Sequence, residues 1–265
     1  MDQVKIAWYG IHEGEEPPLC PAGGIFFSGC NLRCVFCQNY QISQQGVGKM
    51  YSVEELADIM LHLQKQGARN IDLVTPTLWY KQIKEAIILA RERGLTLPLV
   101  WNSNGYESQE ILQEMEGYID IYLPDFKYSD DTLAYRYSGR ENYCTTATQA
   151  IEEMLRQVGN FDEQQMRGVI IRHMVLPNNL ENSFGVLQKI ASIDKNIHVS
   201  LMNQYFPMHN AGKYEELTRI VTEDEFEKVY QYLLDLGIEN GWVQGEKSQE
   251  NLIPDFLKEN PFESH

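Results

Sequence analysis

The sequence predicts an α/β fold whose core is a partial (β/α)6 barrel of the TIM type. Short runs of Val, Ile, Leu and Phe alternate with helical patterns from about residue 24 to about residue 245, as in repeated βα units. Each run is almost continuously apolar, which is typical of parallel strands covered on both faces. Polar segments directly follow several of these runs, so we expect a functional site at the carboxyl edge of the sheet.

Six segments are predicted as barrel strands: GGIFFSG (23–29), NIDLVT (70–75), LPLVWN (97–102), IDIYLPD (119–125), GVIIRHMVL (168–176) and IHVSLM (197–202). Two helices are predicted to start with a capping box, a hydroxyl residue followed three residues later by glutamate. These boxes pair Ser52 with Glu55 and Thr222 with Glu225. Residues 1–245 are predicted to form a single domain, and the polar segment 246–265 a tail on its surface.

Composition excludes several classes of protein. The formal net charge of -16 and a pI near 4.8 disfavour nucleic acid as a partner, because phosphate backbones are bound by an excess of Lys and Arg. No apolar run approaches the roughly 18 residues that a membrane span needs, and the N-terminal segment has no apolar core of a signal peptide. We therefore expect a cytoplasmic protein that does not bind membranes.

Three of the five cysteines, Cys30, Cys34 and Cys37, lie within the segment SGCNLRCVFCQNY. Their spacing would also place them on one face of a helix, where they would be small buried residues. A structural zinc ion is a second alternative, but it normally takes four ligands, and Cys20 and Cys144 are single and distant. Both of these cysteines are interpreted as structural thiols.

An iron-sulfur cluster is the third interpretation of the cysteine motif, since soft thiolates favour such clusters. Three thiolates would leave one iron of a four-iron cluster without a protein ligand. An open iron is useful where a substrate or cofactor binds to the cluster.

The spacing C-x3-C-x2-C, with Phe36 before the last cysteine, resembles the signature of radical S-adenosylmethionine (SAM) enzymes. The resemblance implies the radical SAM fold, with a [4Fe-4S] cluster held by Cys30, Cys34 and Cys37. It also implies that the fourth iron chelates SAM and that the reduced cluster cleaves it, giving a 5'-deoxyadenosyl radical that abstracts hydrogen. In such a cofactor system the protein supplies position and exclusion of water.

Over roughly residues 10–245 the sequence is similar to the activating enzymes of glycyl radical enzymes, and most similar to the subgroup of pyruvate formate-lyase activating proteins. The segments that carry this similarity are LVTPT, NSNGY, IYLPDFKY, IRHMVLPNN and MNQYFP. The resemblance implies that Phe36 lies near the adenine of SAM. The further SAM-binding residues that we predict are Asn39, Thr75, Thr77, Asn102, Ser103, Asp125, Lys127 and Arg172. His173 alternates with Arg172 along its strand and is predicted to be a packing residue.

Two positions depart from the family pattern. Many radical SAM proteins hold the SAM amino group with a Gly-Gly-Glu element, and this chain has Thr75-Pro76-Thr77 there. Hydroxyl and carbonyl oxygens can accept hydrogen bonds from an ammonium group, but this segment offers no carboxylate. The activating enzymes also place an acidic residue where this chain has Asn102.

The resemblance implies a glycyl radical enzyme as the protein substrate and an electron donor such as flavodoxin or ferredoxin. A peptide or small-molecule substrate is an alternative, because a fold does not determine a function. A non-catalytic iron-sulfur electron carrier is a third hypothesis, which the absence of a fourth clustered cysteine disfavours.

Overall fold

The computed structural model describes residues 3–243 and 253–262. These residues form one nine-stranded sheet in the order β3-β1-β2-β4-β5-β6-β7-β8-β9. Seven of its strands are mutually parallel: β2, β4, β5, β6, β7, β8 and β9. The strands are β1 (Gln3–His12), β2 (Ala22–Phe27), β3 (Lys49–Ser52), β4 (Ile71–Val74), β5 (Leu99–Ser103), β6 (Ile121–Pro124), β7 (Gly168–Met174), β8 (His198–Met202) and β9 (Gly241–Val243).

Helices follow most of the parallel strands and cover the outside of the sheet. They are α1 (Tyr40–Ser43), α2 (Val53–Lys65), α3 (Tyr80–Glu92), α4 (Gln109–Met115), α5 (Asp131–Ser138), α6 (Tyr143–Val158), α7 (Leu180–Ile193) and α8 (Glu223–Asp235). Both predicted capping boxes are present, at the starts of α2 and α8. None of the helices in the described residues is long and apolar enough to cross a membrane.

The predicted fold class is confirmed. All six predicted strands are present as β2 and β4 to β8. Three further strands were not predicted: β1, which runs antiparallel to β2 and β3, and the short strands β3 and β9. The sheet therefore extends beyond the six-stranded barrel on both sides. The predicted boundary between residues 245 and 246 lies outside the described residues.

The loop between β1 and β2 enters the barrel from below, at the amino ends of the parallel strands. Its residue Leu19 is fully buried, in a cluster that includes Val100, Ile121 and Ile170 from three neighbouring strands. The apolar contact anchors the loop inside the barrel. The polar residues just before Leu19 are consequently held beneath the carboxyl-edge loops.

Candidate active site

A cavity of about 200 Å³ lies inside the barrel, between the cysteine segment and the loop that carries Leu19. It is bounded by strand ends of the parallel sheet, where the sequence predicted a site. Eight of the predicted site residues line it: Cys34, Phe36, Cys37, Asn39, Asn102, Asp125, Lys127 and Arg172.

The cysteine segment follows β2 as an irregular loop. Gly29 begins the turn with a φ of 92°, a conformation that favours glycine. Residues 30–39 contain no helix, so the alternative of three cysteines on a helical face is wrong. Asn31 and the glycine favour a turn at this point over helix continuation.

Each of the three sulfur atoms has a polar neighbour. Ser138 donates its hydroxyl hydrogen to Cys34 Sγ at 3.0 Å, and Asn104 Nδ2 donates to Cys30 Sγ at 3.3 Å. The Cys37 sulfur lies 3.3 Å from the Ser43 hydroxyl. Hydrogen-bond donors stabilise thiolates, so the surroundings of the sulfur atoms suit metal ligands.

Burial raises the pKa of the Cys34 thiol to about 12. A thiol with so high a pKa holds its proton at neutral pH unless a positive charge, such as that of a bound metal, displaces the proton. Cys34 is 8% exposed, whereas Cys30 and Cys37 are half-buried.

A charged network crosses the cavity wall. Asp125 accepts a hydrogen bond from Lys127 Nζ at 2.6 Å and from Arg172 Nε at 2.9 Å. Arg172 also donates from Nη1 to Glu15 at 3.1 Å and from Nη2 to Asn102 Oδ1 at 2.6 Å. Charge-assisted hydrogen bonds of this kind fix the positions of the Asp125 and Arg172 side chains.

The network keeps Asp125 and Lys127 ionised. Burial by itself would raise the pKa of Asp125, but Arg172 and Lys127 hold it below its ordinary value. Burial would lower the pKa of Lys127, and the Asp125 carboxylate raises it instead. Opposite charges nearby thus outweigh desolvation at this site.

Phe36 and Asn39 lie on the side of the cavity nearest the cysteines. Phe36 is 4% exposed and makes edge contacts with Tyr137 and Tyr205, with ring centroids 6.4 and 5.9 Å apart. Asn39 stands directly before α1, and its side chain does not cap that helix. The Asn39 side-chain amide can therefore form hydrogen bonds with a group bound in the cavity.

Three predicted SAM-binding residues do not lie among the described residues that line the cavity. Thr77 is buried and donates its hydroxyl to Glu107 at 2.7 Å. The Ser103 hydroxyl accepts from the backbone of Gly105 at 3.3 Å. Thr75 has a φ of 59°, a left-handed conformation that is uncommon for a β-branched residue. Thr77 and Ser103 therefore form hydrogen bonds near the strand ends and do not line the cavity.

Glu15 was not predicted as a site residue, but it lines the cavity with a side chain that is 7% exposed. Asp72, from β4, accepts from Asn102 Nδ2 at 3.2 Å. The Asn102 position, which has no carboxylate of its own, therefore has two carboxyl groups beside it. The local pattern EGEEPP is typical of an exposed loop, and only the insertion of Leu19 into the barrel brings Glu15 to the site.

The C-terminal segment 253–262 was also missed as part of the site. Pro254 and Phe262 line the cavity. Phe256 is 5% exposed and packs against Phe26, with ring centroids 5.6 Å apart. Gln41 fastens the segment through hydrogen bonds to the Asp255 side chain and the Phe256 backbone. This part of the predicted polar tail therefore closes one side of the cavity.

Cys20, Cys144 and His173 do not line the cavity. His173 is fully buried between the Phe126 carbonyl and the Ser183 hydroxyl, which confirms it as a packing residue. All five cysteines are free. Cys144 donates to the Tyr128 carbonyl at 3.3 Å, and Cys20 donates to the Glu15 carbonyl at 3.3 Å.

The sequence profile of the radical SAM superfamily matches residues 25–191, which include the cysteine loop and most of the parallel strands. The chain belongs to the radical SAM superfamily. Enzymes of this superfamily use a [4Fe-4S] cluster and SAM, which confirms the predicted cofactors.

Two relatives are informative. The chain is 34% identical to an uncharacterized protein of Methanocaldococcus jannaschii over 254 residues, covering 88% of this chain and 70% of the relative. It is 28% identical to the pyruvate formate-lyase-activating enzyme of Clostridium pasteurianum over 218 residues, covering 78% of this chain and 86% of that enzyme.

The radical SAM fold is also seen in the structural comparison. The Streptococcus suis protein SuiB, in a crystal structure bound to SAM, superposes with a TM-score of 0.58 at 13% identity, over 82% of this chain and 48% of SuiB. The chain thus spans about half the length of that protein. At this level of identity the similarity concerns the fold alone.

The residues present fit the superfamily cofactors. A cubane cluster carries its irons at separate corners, so its ligands need not converge on one point as those of a single ion do. No group of three His, Cys, Asp or Glu side chains in the described part of the chain converges in that way, and the three thiols lie in one loop next to the cavity. Cys30, Cys34 and Cys37 would hold the cluster at that edge.

Proposed function

We propose that this radical SAM enzyme abstracts a hydrogen atom from a glycine of a glycyl radical enzyme. The observation that carries the chemistry is that Cys34 and Cys37 line the same cavity as Asp125, Lys127 and Arg172. With its cofactors bound, the site would transfer one electron to SAM and release methionine and a 5'-deoxyadenosyl radical, which takes the hydrogen of the substrate. The 28% identity to a pyruvate formate-lyase-activating enzyme supports the choice of substrate.

The cavity residues are assigned roles in this proposal. Phe36 would pack against the adenine of SAM, and Asn39 would donate a hydrogen bond to it. Lys127 would pair with the SAM carboxylate as a point charge, while Arg172 and Asp125 hold that lysine in position. Asn102 would complete the polar wall, with Thr75, Thr77 and Ser103 shaping the strand ends behind it.

The partners and the location are also part of the proposal. An electron donor such as flavodoxin or ferredoxin would supply the electron for each cleavage of SAM. The donor would approach the loop of Cys30, because electron transfer requires a short path to the cluster. A cytoplasmic location is compatible with five free cysteines, since thiols stay reduced in that compartment.

The test is an anaerobic assay of SAM cleavage. The protein is reconstituted with iron and sulfide, SAM and dithionite are added, and 5'-deoxyadenosine is quantified by mass spectrometry. We expect stimulation by the protein fraction of an extract of the source cell and the appearance of a glycyl radical in that fraction by EPR. A cluster that forms without any nucleoside would instead support the electron-carrier hypothesis.

A matched pair of variants tests the cluster ligands. Cys34→Ala should abolish SAM cleavage and cluster assembly while leaving the fold intact, because it removes a ligand. Cys144→Ala is the control, since Cys144 is equally buried, at 8% exposed, and lies outside the cysteine loop. Iron content, the circular dichroism spectrum and nucleoside yield are measured for both. Full SAM cleavage by Cys34→Ala would contradict the ligand assignment.

A peptide or small-molecule substrate is the second candidate function. It is favoured by the C-terminal segment, because Pro254 and Phe262 occupy one side of the cavity, where the loop of a large protein would otherwise enter. In the same assay, stimulation by the small-molecule fraction of the extract and not by the protein fraction would identify this candidate.

A further inference from the structure

Three buried carboxyl groups lie together beside the cavity, and Glu15 is the one that lines it. Glu15 and Glu16 come from the loop between β1 and β2, and Asp72 comes from the middle of β4. Glu16 and Asp72 are each 1% exposed, and the Glu15 side chain is 7% exposed. We refer to Glu15, Glu16 and Asp72 as the acidic floor.

Within the part of the chain that the structure describes, the acidic floor has too few cationic partners. Lys127 and Arg172 both bind Asp125, and Glu15 shares Arg172 with it. The other oxygen of Glu15 lies 3.7 Å from His12 Nε2. Burial lowers the pKa of His12 to about 4, so this histidine is neutral at pH 7 and adds no charge. One shared guanidinium therefore faces three carboxyl groups.

Several polar atoms in and beside the acidic floor have no hydrogen-bond partner within residues 3–243 and 253–262. They are both carboxyl oxygens of Glu16, Oδ1 of Asp72 and the hydroxyl of the adjacent Ser200, which is fully buried. The Ser200 hydroxyl lies near Glu16, but the two do not form a hydrogen bond of ordinary geometry. Buried polar groups are rarely left unpaired in a native protein, and here the uncharged Ser200 is left unpaired as well as the acids.

The missing partner is better matched by a nitrogen group than by a metal ion. Ligands of a metal ion converge on one point, which no group of three such side chains does among the described residues. An ammonium or guanidinium group donates several separate hydrogen bonds and carries the positive charge that the acidic floor lacks. Burial raises the pKa of Glu15, Glu16 and Asp72, and a bound cation would restore their ionised forms.

We propose that the acidic floor, through Glu15 at the cavity surface, binds a cationic nitrogen group of the substrate whose hydrogen is abstracted. This inference rests on the proposed function and narrows its substrate to one with an ammonium or guanidinium group near the reacting carbon. SAM has an ammonium group of its own. The cysteine loop, however, follows the carboxyl end of β2, whereas Glu15 rises from the amino ends of the parallel strands, so the substrate is the better match for Glu15.

The probe for this site is the n-butylammonium ion, with n-butanol as its uncharged control. Binding of each to the anaerobically reconstituted protein is measured by titration calorimetry, with and without saturating SAM. We expect saturable binding of butylammonium in the presence of SAM and none of butanol. Glu15→Gln should weaken the binding at least about tenfold, whereas Glu15→Asp, which keeps the charge, should retain most of it. Glu13→Gln, an exposed position of the same loop, should behave as wild type.

Three results would overturn the inference. The first is that butylammonium does not bind wild type, which would mean that protons alone neutralise the acidic floor. The second is that butylammonium binds Glu15→Gln as tightly as wild type. The third is that SAM displaces butylammonium, which would assign the site to the ammonium group of SAM. The wild-type comparison of butylammonium with butanol stands even if Glu15→Gln does not fold.

Formation of 5'-deoxyadenosine by the same wild-type preparation reports on the proposed function separately. Nucleoside formation without cation binding would overturn this inference alone. Cation binding without nucleoside would support the cation site and contradict the proposed function.

Discussion

At the scale of single residues, Asp125 shows how one carboxylate organises a site. It lies just after β6 and joins two cations that come from different parts of the chain, Lys127 beside it and Arg172 on β7. Its side chain is only 16% exposed, so little water competes with these bonds. Breaking a buried ion pair leaves uncompensated charges behind, which costs roughly 3–5 kcal/mol.

Asp125→Asn should weaken SAM binding about tenfold, which corresponds to about 1.4 kcal/mol, because Lys127 loses the partner that positions it. The iron content should stay unchanged, since the hydrogen bonds of the Asp125 carboxylate go to Lys127 and Arg172 and not to a cysteine. Equilibrium dialysis with labelled SAM and iron analysis measure the two effects. Asp58→Asn, in the exposed pair with Arg93, is the control. Loss of iron with unchanged SAM affinity would remove Asp125 from the SAM site.

His173 gives a second prediction at the scale of single residues, which concerns the pH dependence of stability. The Phe126 carbonyl can only accept, so Nδ1 carries the proton and Nε2 accepts from Ser183. Burial lowers the pKa of His173 to about 4. His173 therefore binds a proton more tightly in the unfolded chain than in the folded protein. Stability is lost as the pH falls below the pKa of histidine in the unfolded chain, which is about 6.5.

The expected loss from His173 between pH 7 and pH 5 is about 2 kcal/mol. Chemical denaturation of wild type and His173→Gln at both pH values measures it, with the exposed His62→Gln as the control. His173→Gln should lose correspondingly less stability on acidification than wild type. An identical pH dependence of the two proteins would mean that His173 is not buried in its neutral form.

At the scale of elements, the strands that were predicted differ in composition from those that were missed. β4 and β5 are buried at every residue, and such largely apolar runs are recognisable in a sequence. β3 has two exposed and two half-buried residues, and β9 has only three residues. Edge strands of this kind depend on pairing with a neighbour for their conformation, so their own sequence contains little signal.

The capping box at the start of α2 gives an element-scale prediction. Ser52 accepts from the Glu55 backbone at 3.2 Å, and the Glu55 carboxylate accepts from the Ser52 backbone at 2.7 Å. Ser52→Ala should lower the unfolding free energy by about 1 kcal/mol. Thr132→Ala, an exposed hydroxyl in the first turn of α5 that is not at the cap, should change it by less than about 0.5 kcal/mol. Equal effects of the two substitutions would show that the capping box does not stabilise α2.

At the scale of the whole molecule, the site is assembled from segments that no local pattern connects. The cysteine motif could be recognised because its spacing is local and its residue type is rare. Glu15 and the segment 253–262 could not, because their sequences are typical of exposed loops and only the complete fold brings them to the cavity. The superfamily chemistry was therefore predictable, whereas the bottom and one side of the cavity were not.

Binding of SAM should stabilise the whole molecule, because it binds only the folded state. At one hundred times its Kd, SAM should add about 2.7 kcal/mol and raise the Tm by about 5–10 °C. Differential scanning fluorimetry under anaerobic conditions measures the shift. Cys34→Ala should show a much smaller shift, because SAM would lose the open iron. Equal shifts for the two proteins would mean that SAM binds without the cluster.

The separation along the chain of the residues that enclose the cavity has a consequence for folding. Glu15 and Arg172 are 157 residues apart, and Gln41 and Asp255 are 214 apart, whereas the three cysteines lie within eight positions. Contacts of high sequence separation form late, because closing a long loop costs entropy before any contact compensates for it. A newly made chain therefore has its proposed cluster ligands near one another before it has a compartment in which a radical would be shielded. Metal loading can precede the last folding step, and the ability to start radical chemistry cannot.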